Sequence, residues 1–379
     1  MKFRKVCLED IADTCLGKML DKNKNRGEYQ PYLANINVRW GAFDLDNLSQ
    51  MRFLDTEQER YGLKYGDLVV CEGGEPGRCA IWKDQIPEMK IQKALHRVRV
   101  KKDVDFRYLY FWFLLAGKRN ALEQYFTGAT IKHMPEDKLK RIVVTIPTYD
   151  EQIKIANVLS NYDDLIENNQ KQIKLLEEVA QRLYKEWFVD LHFPGYEEAE
   201  IIDGLPKGWE IKKVDELLQK VQKKAKVKAS EYMSEGKIPI VDQSRKFIAG
   251  YTNNQESLSD ELPAIIFGDH TRIIKYIQFP YARGADGTQV IISNTSRMPQ
   301  ALFYCALKNI DLSNHHYARH FKYLKEKNVL LPERTISGKF NDIADVYFTN
   351  IMSLRKMNAR LSEARDRLLP KLMSGEIEV

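Results

Sequence analysis

The stretch from Tyr149 to Phe188, YDEQIKIANVLSNYDDLIENNQKQIKLLEEVAQRLYKEWF, decides how the rest of the chain is read. Ile155, Val158, Tyr162, Leu165, Asn169, Gln172, Leu176, Val179 and Leu183 recur at alternating steps of three and four. That is the seam spacing of a coiled coil, here carrying polar Asn169 and Gln172. Adding 185 to each number gives a second seam: Phe340, Ile343, Tyr347, Asn350, Leu354, Met357, Leu361, Ala364 and Leu368. Identities share the same offset, among them Leu139 and Leu324, Pro147 and Pro332, Tyr162 and Tyr347, Ile166 and Ile351, and Arg182 and Arg367. An in-phase repeat of this length makes the chain a tandem of two half-molecules. Each seam's natural mate is the other copy. An antiparallel pair then places two globular units at opposite ends, with polar Asn169, Gln172 and Asn350 setting register.

Outward from the helices, residues 1–147 read as one mixed globular domain. Residues 148–190 form the central spacer helix, 191–208 a connector, 209–332 a second globular domain, and 333–379 the C-terminal spacer helix and tail. In the first domain, Tyr32–Val38, Tyr65–Cys71 and Leu95–Val100 read as strands. Glu72-Gly-Gly-Glu-Pro-Gly-Arg78 is the wide tip of a hairpin, and a helix is expected from Phe106 to about Tyr125. The tip is no phosphate cradle, because it lacks Gly-Lys-Ser/Thr and no helix pattern follows it. In the second domain, strands are expected at 238–241, 264–267, 273–277 and 288–292, with helices at 300–307 and around Tyr317. Val214-Asp-Glu-Leu217 mirrors Leu8-Glu-Asp-Ile11 at an offset of 206. Between these starts and the long helices, the two inserts diverge in residues and length. The overall expectation is an α+β protein: two globular α/β domains joined by two long antiparallel coiled-coil helices with pseudo-twofold symmetry.

The chain has 379 residues, 44% of them apolar, enough for two or three cores. A net charge of +6 leans toward an anionic partner without naming one. Cys7, Cys15, Cys71, Cys79 and Cys305 are scattered, and Met1-Lys-Phe-Arg-Lys5 leads into polar sequence, so a reducing cytoplasm is expected. The most apolar run, Tyr108 to Ala116, has nine residues against the roughly 20 a membrane span needs. No Pro-Pro pair, Walker lysine or base–nucleophile pattern points to an enzyme. His315, His316 and His320 lie near Cys305 without a metal-ligand spacing.

Basic residues with aromatic and amide neighbours recur in both inserts, and these are the candidate DNA contacts. In the first they are Lys22, Lys24, Arg26, Asn37, Arg39, Trp40 and Arg78. In the second they are Gln243, Ser244, Arg245, Lys246, His270, Thr271, Arg272, Arg319 and Lys322. Arg and Lys suit guanine or phosphate, and Asn and Gln suit adenine. Taken singly, each is an ordinary surface residue; the signal is their presence in both divergent inserts. The competing reading is a coiled-coil scaffold for protein partners, with these charges merely solvated.

At this point the chain resembles the specificity subunits of type I restriction–modification systems. The residues that carry the likeness are Val143–Val158, Lys185–Tyr196 and Gly204–Trp209. Phe267–Thr271, Gly284–Thr288 and Leu369–Gly375 add to it. The family often has Pro-Pro-Leu-Glu-Glu-Gln before the helix; here Pro147-Thr-Tyr-Asp-Glu-Gln152 stands, and the second copy reads Pro332-Glu-Arg-Thr-Ile-Ser337. The resemblance implies two target-recognition domains, 1–147 and 209–332, each reading one half of a bipartite sequence in double-stranded DNA. It implies a subunit that is not itself catalytic and needs no cofactor or metal. Two DNA-methyltransferase subunits would carry S-adenosylmethionine, and restriction subunits would use ATP and Mg.

Overall fold

A computed structural model of the chain describes residues 1–21, 25–222, 224–313 and 319–379. It divides into two compact units: residues 1–166 with 359–379, and residues 167–358. Each unit is α+β and contains segments of both long helices, Tyr149–Phe188 and Arg334–Ser374.

Each unit is built on the same frame. In the first, strand Arg4–Cys7 pairs antiparallel with Val143–Ile146, Arg4 opposite Ile146 and Cys7 opposite Val143. In the second, Glu210–Lys213 pairs with Asn328–Leu331, Glu210 opposite Leu331 and Lys213 opposite Asn328. Offsets of 206 and 185 therefore convert one ribbon into the other residue for residue. Each first strand runs into one short turn of helix, Leu8–Ile11 or Val214–Leu217. Each second strand runs into a long helix. The second insert is shorter by the difference between the offsets, 21 residues.

The inserts diverge in sequence, yet their strands pair alike. Strand Glu28–Leu33 is antiparallel to Ser49–Phe53 and parallel to Lys90–Ile91. Ile238–Val241 is likewise antiparallel to Gly250–Thr252 and parallel to Tyr281–Arg283. Hairpin Leu68–Cys71 with Cys79–Ile81 is flanked by Leu95–Val100. Its counterpart, Ala264–Gly268 with Ile274–Ile277, is flanked by Thr288–Ile291. Two sequence expectations need correction. The strand expected at Tyr32–Val38 spans Glu28–Leu33 and gives way to a turn of 3-10 helix at Asn35–Asn37, where Asn37 bonds back to the Ala34 N–H. The helix from Phe106 stops at Lys118, short of Tyr125, with a turn at Asn120 whose φ is +54°. Tyr317 lies outside the described residues; a helix follows it at His320–Lys325.

The seam also needs a correction. Ile155 and Asn169 are buried as expected, but Leu165, Gln172 and Val179 face solvent. The inward stripe takes the next residue instead: Leu159 and Ala180 are buried, and Ile166 and Ile173 half-buried. The C-terminal helix shows the same shift, with Ala344 and Ile351 buried and Ile343, Asn350 and Met357 exposed. Both phases share 155, 162, 169, 176 and 183, so the shared positions leave the choice open. A helix advances 3.6 residues per turn, and steps of three and four fall on either side of one line. Asn169 is matched by Asn358, whose Oδ1 accepts from its Nδ2 at 2.8 Å, so Asn350 is not the register residue.

Within each unit the helix segments run in opposite directions. In the first, Ile155, Ala156 and Leu159 share a core with Leu369, Leu372 and Met373, and Arg365 pairs with Asp163. In the second, Tyr184, Trp187 and Phe188 surround Phe340, with ring centroids 5.2–6.4 Å apart. Phe340 is fully buried, so Phe340→Ala should lower the second unit's unfolding free energy by about 3–5 kcal/mol. Leu175→Ala, 58% exposed, should stay within about 0.5 kcal/mol. Urea unfolding of both variants checks the pair.

Candidate nucleic-acid interface

Turns after equivalent strands bring most of the described candidates together; Arg26 is not among them, standing before strand Glu28–Leu33 rather than after it. In the first unit the loop following Glu28–Leu33 carries Asn35 to Trp40, and the hairpin tip spans Glu72 to Arg78. Glu75 joins them. Its carboxylate accepts from Trp40 Nε1 and from Arg78 Nη1, both at 2.8 Å, while Arg78 Nη2 donates to the Asn35 carbonyl at 3.0 Å. A third loop reaches the tip through the Met134 N–H, which donates to the Glu72 carbonyl at 2.7 Å.

The second unit repeats this wiring with different residues. The loop after Ile238–Val241 carries Gln243 to Lys246, and the equivalent hairpin tip carries Asp269 to Ile273. Gln243 joins them. Its Oε1 accepts the His270 N–H at 3.0 Å, its Nε2 donates to the Asp286 carbonyl at 3.0 Å, and its carbonyl accepts from Thr271 Oγ1 at 2.7 Å. The third loop arrives through the His320 N–H, which donates to the Asp269 carbonyl at 2.9 Å. The Asp269 carboxylate then accepts the Phe321 N–H at 2.8 Å, at the start of helix His320–Lys325.

The sixteen candidates therefore take different roles. Arg26, Arg39, Arg245, Lys246, His270, Thr271, Arg272, Arg319 and Lys322 are exposed. Trp40, Arg78, Gln243 and Ser244 are partly buried and shape the loops. Asn37 is turned inward, 6% exposed, with Oδ1 on the Ala34 N–H and Nδ2 on the Asp44 carbonyl. Its amide is spent on a turn and is not presented to a base edge. Arg272 adopts a left-handed φ of +60° and holds the neighbouring loop through the Leu312 carbonyl at 3.1 Å. Lys22 and Lys24 lie outside the described residues, as do His315 and His316.

Sequence reasoning passed over the organisers. Glu75 and Asp269 carry the wrong charge for a DNA contact, and Gln243 was singled out as a reader rather than a tie. The fold also uses basic residues that composition alone cannot sort. Arg97 donates to the carbonyls of Glu59 and Arg60 at 2.9 and 2.8 Å, and Arg99 clasps Asp67 at 2.7 and 2.8 Å. Hydrogen bonding to Asp67 raises the Arg99 pKa further. His96 is fully buried, and burial lowers its pKa.

Each of the two similar frames supports three loops joined by hydrogen bonds. The description "Type I restriction modification DNA specificity domain" matches residues 2–178. The chain is 29% identical over 342 residues to the type I restriction enzyme MjaIX specificity subunit of Methanocaldococcus jannaschii, covering 83% of this chain and 78% of that protein. It is 22% identical to the HindI specificity subunit of Haemophilus influenzae, covering 70% and 77%. The crystal structure of a type I restriction–modification S subunit from M. genitalium matches with a TM-score of 0.56 over 98% of this chain and 96% of that one. At 19% identity, that likeness speaks for the fold.

The chain is similar to the specificity subunits of type I restriction–modification systems.

No group of acidic, His and Cys side chains able to hold a metal is found among the described residues. No described helix is long and apolar enough to cross a membrane. Gln243→Ala should cost about 1 kcal/mol of stability. It should also speed hydrogen exchange at the His270 amide, which would lose its side-chain acceptor. Arg319→Ala, at an exposed side chain, should leave both near the wild-type value.

Proposed function

We propose that this non-catalytic specificity subunit reads a bipartite DNA target, one half-site with each three-loop cluster. The supporting observation is that two divergent inserts place basic and amide side chains on the same pair of loops, wired alike, upon a repeated frame. A fixed frame with variable loops permits the target to change without changing the scaffold. In the second cluster, exposed Arg245, Lys246, His270, Arg272, Arg319 and Lys322 supply donors for guanine edges and phosphates. In the first, Arg39 does so, with Trp40 and Arg78 shaping the surface, while Arg26 stands at the opposite end of strand Glu28–Leu33.

The recognition domains are 1–147 and 209–332, bounded by the spacer helices 148–190 and 333–379 and the connector 191–208. The spacers form an antiparallel coiled coil, and the two halves are related by a pseudo-twofold axis. Helices of 40 and 41 residues extend about 60 Å at 1.5 Å per residue. That length suffices to hold two readers about 34 Å apart, one turn of DNA. The helical pair thus sets the gap between half-sites. Two methyltransferase subunits carrying S-adenosylmethionine join the repeated frame, and restriction subunits using ATP and Mg join for cleavage. Five free cysteines fit a reducing cytoplasm.

Exchanging residues 1–147 for the matching domain of another specificity subunit should change one half-site and leave the other intact. Mapping methylated positions in cells carrying the hybrid checks this, and a change in both halves would sink the assignment. Insertion of seven residues into the central helix should alter the gap or abolish methylation. A normal methylation pattern with unchanged spacing would remove the helices' measuring role. Absence of any sequence-selective DNA binding by the assembled complex would favour the protein-scaffold reading.

A further inference from the structure

A cavity of about 220 Å³ lies in the second unit, where the Gln243–Lys246 loop meets its helix segments. It has room for roughly seven waters at about 30 Å³ each. Four cationic side chains line it, Arg245, Lys275, Lys308 and Arg355, against the single carboxylate of Glu177. That carboxylate is already engaged on both oxygens. Oε1 accepts from Arg355 Nη2 at 2.9 Å, and Oε2 lies 3.5 Å from Lys308 Nζ.

Arg355 projects from the C-terminal long helix and lies flat on Phe247, its guanidinium carbon 3.7 Å from the ring centroid. Its other N–H groups have no hydrogen-bond partner among the described residues. Lys275 is 5% exposed and braces the loop from beneath, donating to the carbonyls of Asp242, at 2.7 Å, and Lys246. Burial pushes the Lys275 ammonium down to about 8; the Asp242 carboxylate 3.8 Å away raises it, and Arg355 lowers it again. Burial also lowers the Arg355 pKa. Both shifts come first from burial, and they describe a partly enclosed space in which Lys275, Lys308 and Arg355 stand close together.

We propose that this cavity is a phosphate site, filled either by a phosphodiester of the DNA backbone beside the second half-site or by a free phosphate. A guanidinium fork with unspent donors suits an oxyanion, and two lysines add point charges around it. Arg245 belongs both to the cavity and to the candidate reading loop, which makes the cavity continuous with the DNA-facing surface. The phosphodiester source rests on that reading of the loop; the cationic cavity does not. A phosphate held there would tie the reading loop to the spacer helices, since Arg355 and Glu177 stand on those helices.

The test uses the full chain and two variants, Arg355→Met and Lys308→Gln. The second alters a side chain 38% exposed, so it remains informative if the first unfolds. Inorganic phosphate should raise the wild-type thermal midpoint by about 3 °C over chloride of equal ionic strength, and the variants should lose that rise. DNA binding is then titrated against salt with the chain assembled with methyltransferase subunits. A variant slope of log K against log salt shallower by about 1 identifies the phosphodiester. A lost phosphate effect with an unchanged slope identifies free phosphate. Equal responses to phosphate and chloride, together with an unchanged slope, would overturn the site. Non-selective DNA binding alongside an intact phosphate effect would instead fail the specificity reading and leave the cavity assigned.

Discussion

A helix of about forty residues with one apolar stripe cannot hold its shape alone in water; it must bury that stripe against a partner. Here the partner is the other copy within the same chain, and this requirement governs the rest of the structure. Phe340, clasped by Tyr184, Trp187 and Phe188, is the deepest expression of it in the second unit. In the first unit, Ile155 and Leu159 against Leu369 and Leu372 do the same. Each helix contributes one segment to each unit, so neither globular core is complete without chain from both halves of the sequence.

Along this apolar seam, a few polar pairs discriminate between registers. The Asn169–Asn358 amides and the Asp163–Arg365 and Glu177–Arg355 ion pairs each place buried or half-buried polar groups opposite one another. A slip by one turn would leave such groups unpaired inside the interface, which costs more than the pairs contribute when matched. Register specificity of this kind matters where a helix pair serves as a spacer, because a slip alters length.

The candidate reading surfaces are held differently. Their framework is apolar and repeated, whereas the loops above it are held by few side-chain bonds: Glu75 in one unit, Gln243 and Asp269 in the other. Divergent residues make equivalent ties, since a loop needs an acceptor or donor at a given place and not one particular side chain. The exposed basic residues around those ties can then vary while the loops keep their shape.

The tandem repeat and both long helices were legible in the sequence because period and offset are one-dimensional properties; the ribbon pairing Arg4–Cys7 with Val143–Ile146, and its second copy, was not. Ile238–Val241 was legible as a short run of β-branched residues, and Leu95–Val100 by its alternation. The seam's face was not. Val158 and Leu159, or Leu165 and Ile166, are equally apolar, and only the partner's position selects one. The substitution of Ile173 for Gln172 and of Ile351 for Asn350 as seam residues was the one hint the chain offered. Nor did the sequence show that the diverged inserts share one strand order, since pairing joins residues tens of positions apart. Composition marked Asn37, Arg97 and Arg245 alike as polar or basic. Tertiary structure alone turned the first two inward onto backbone carbonyls and amides and left the third at the surface, because hydrogen-bonding partners become available only once the chain has folded.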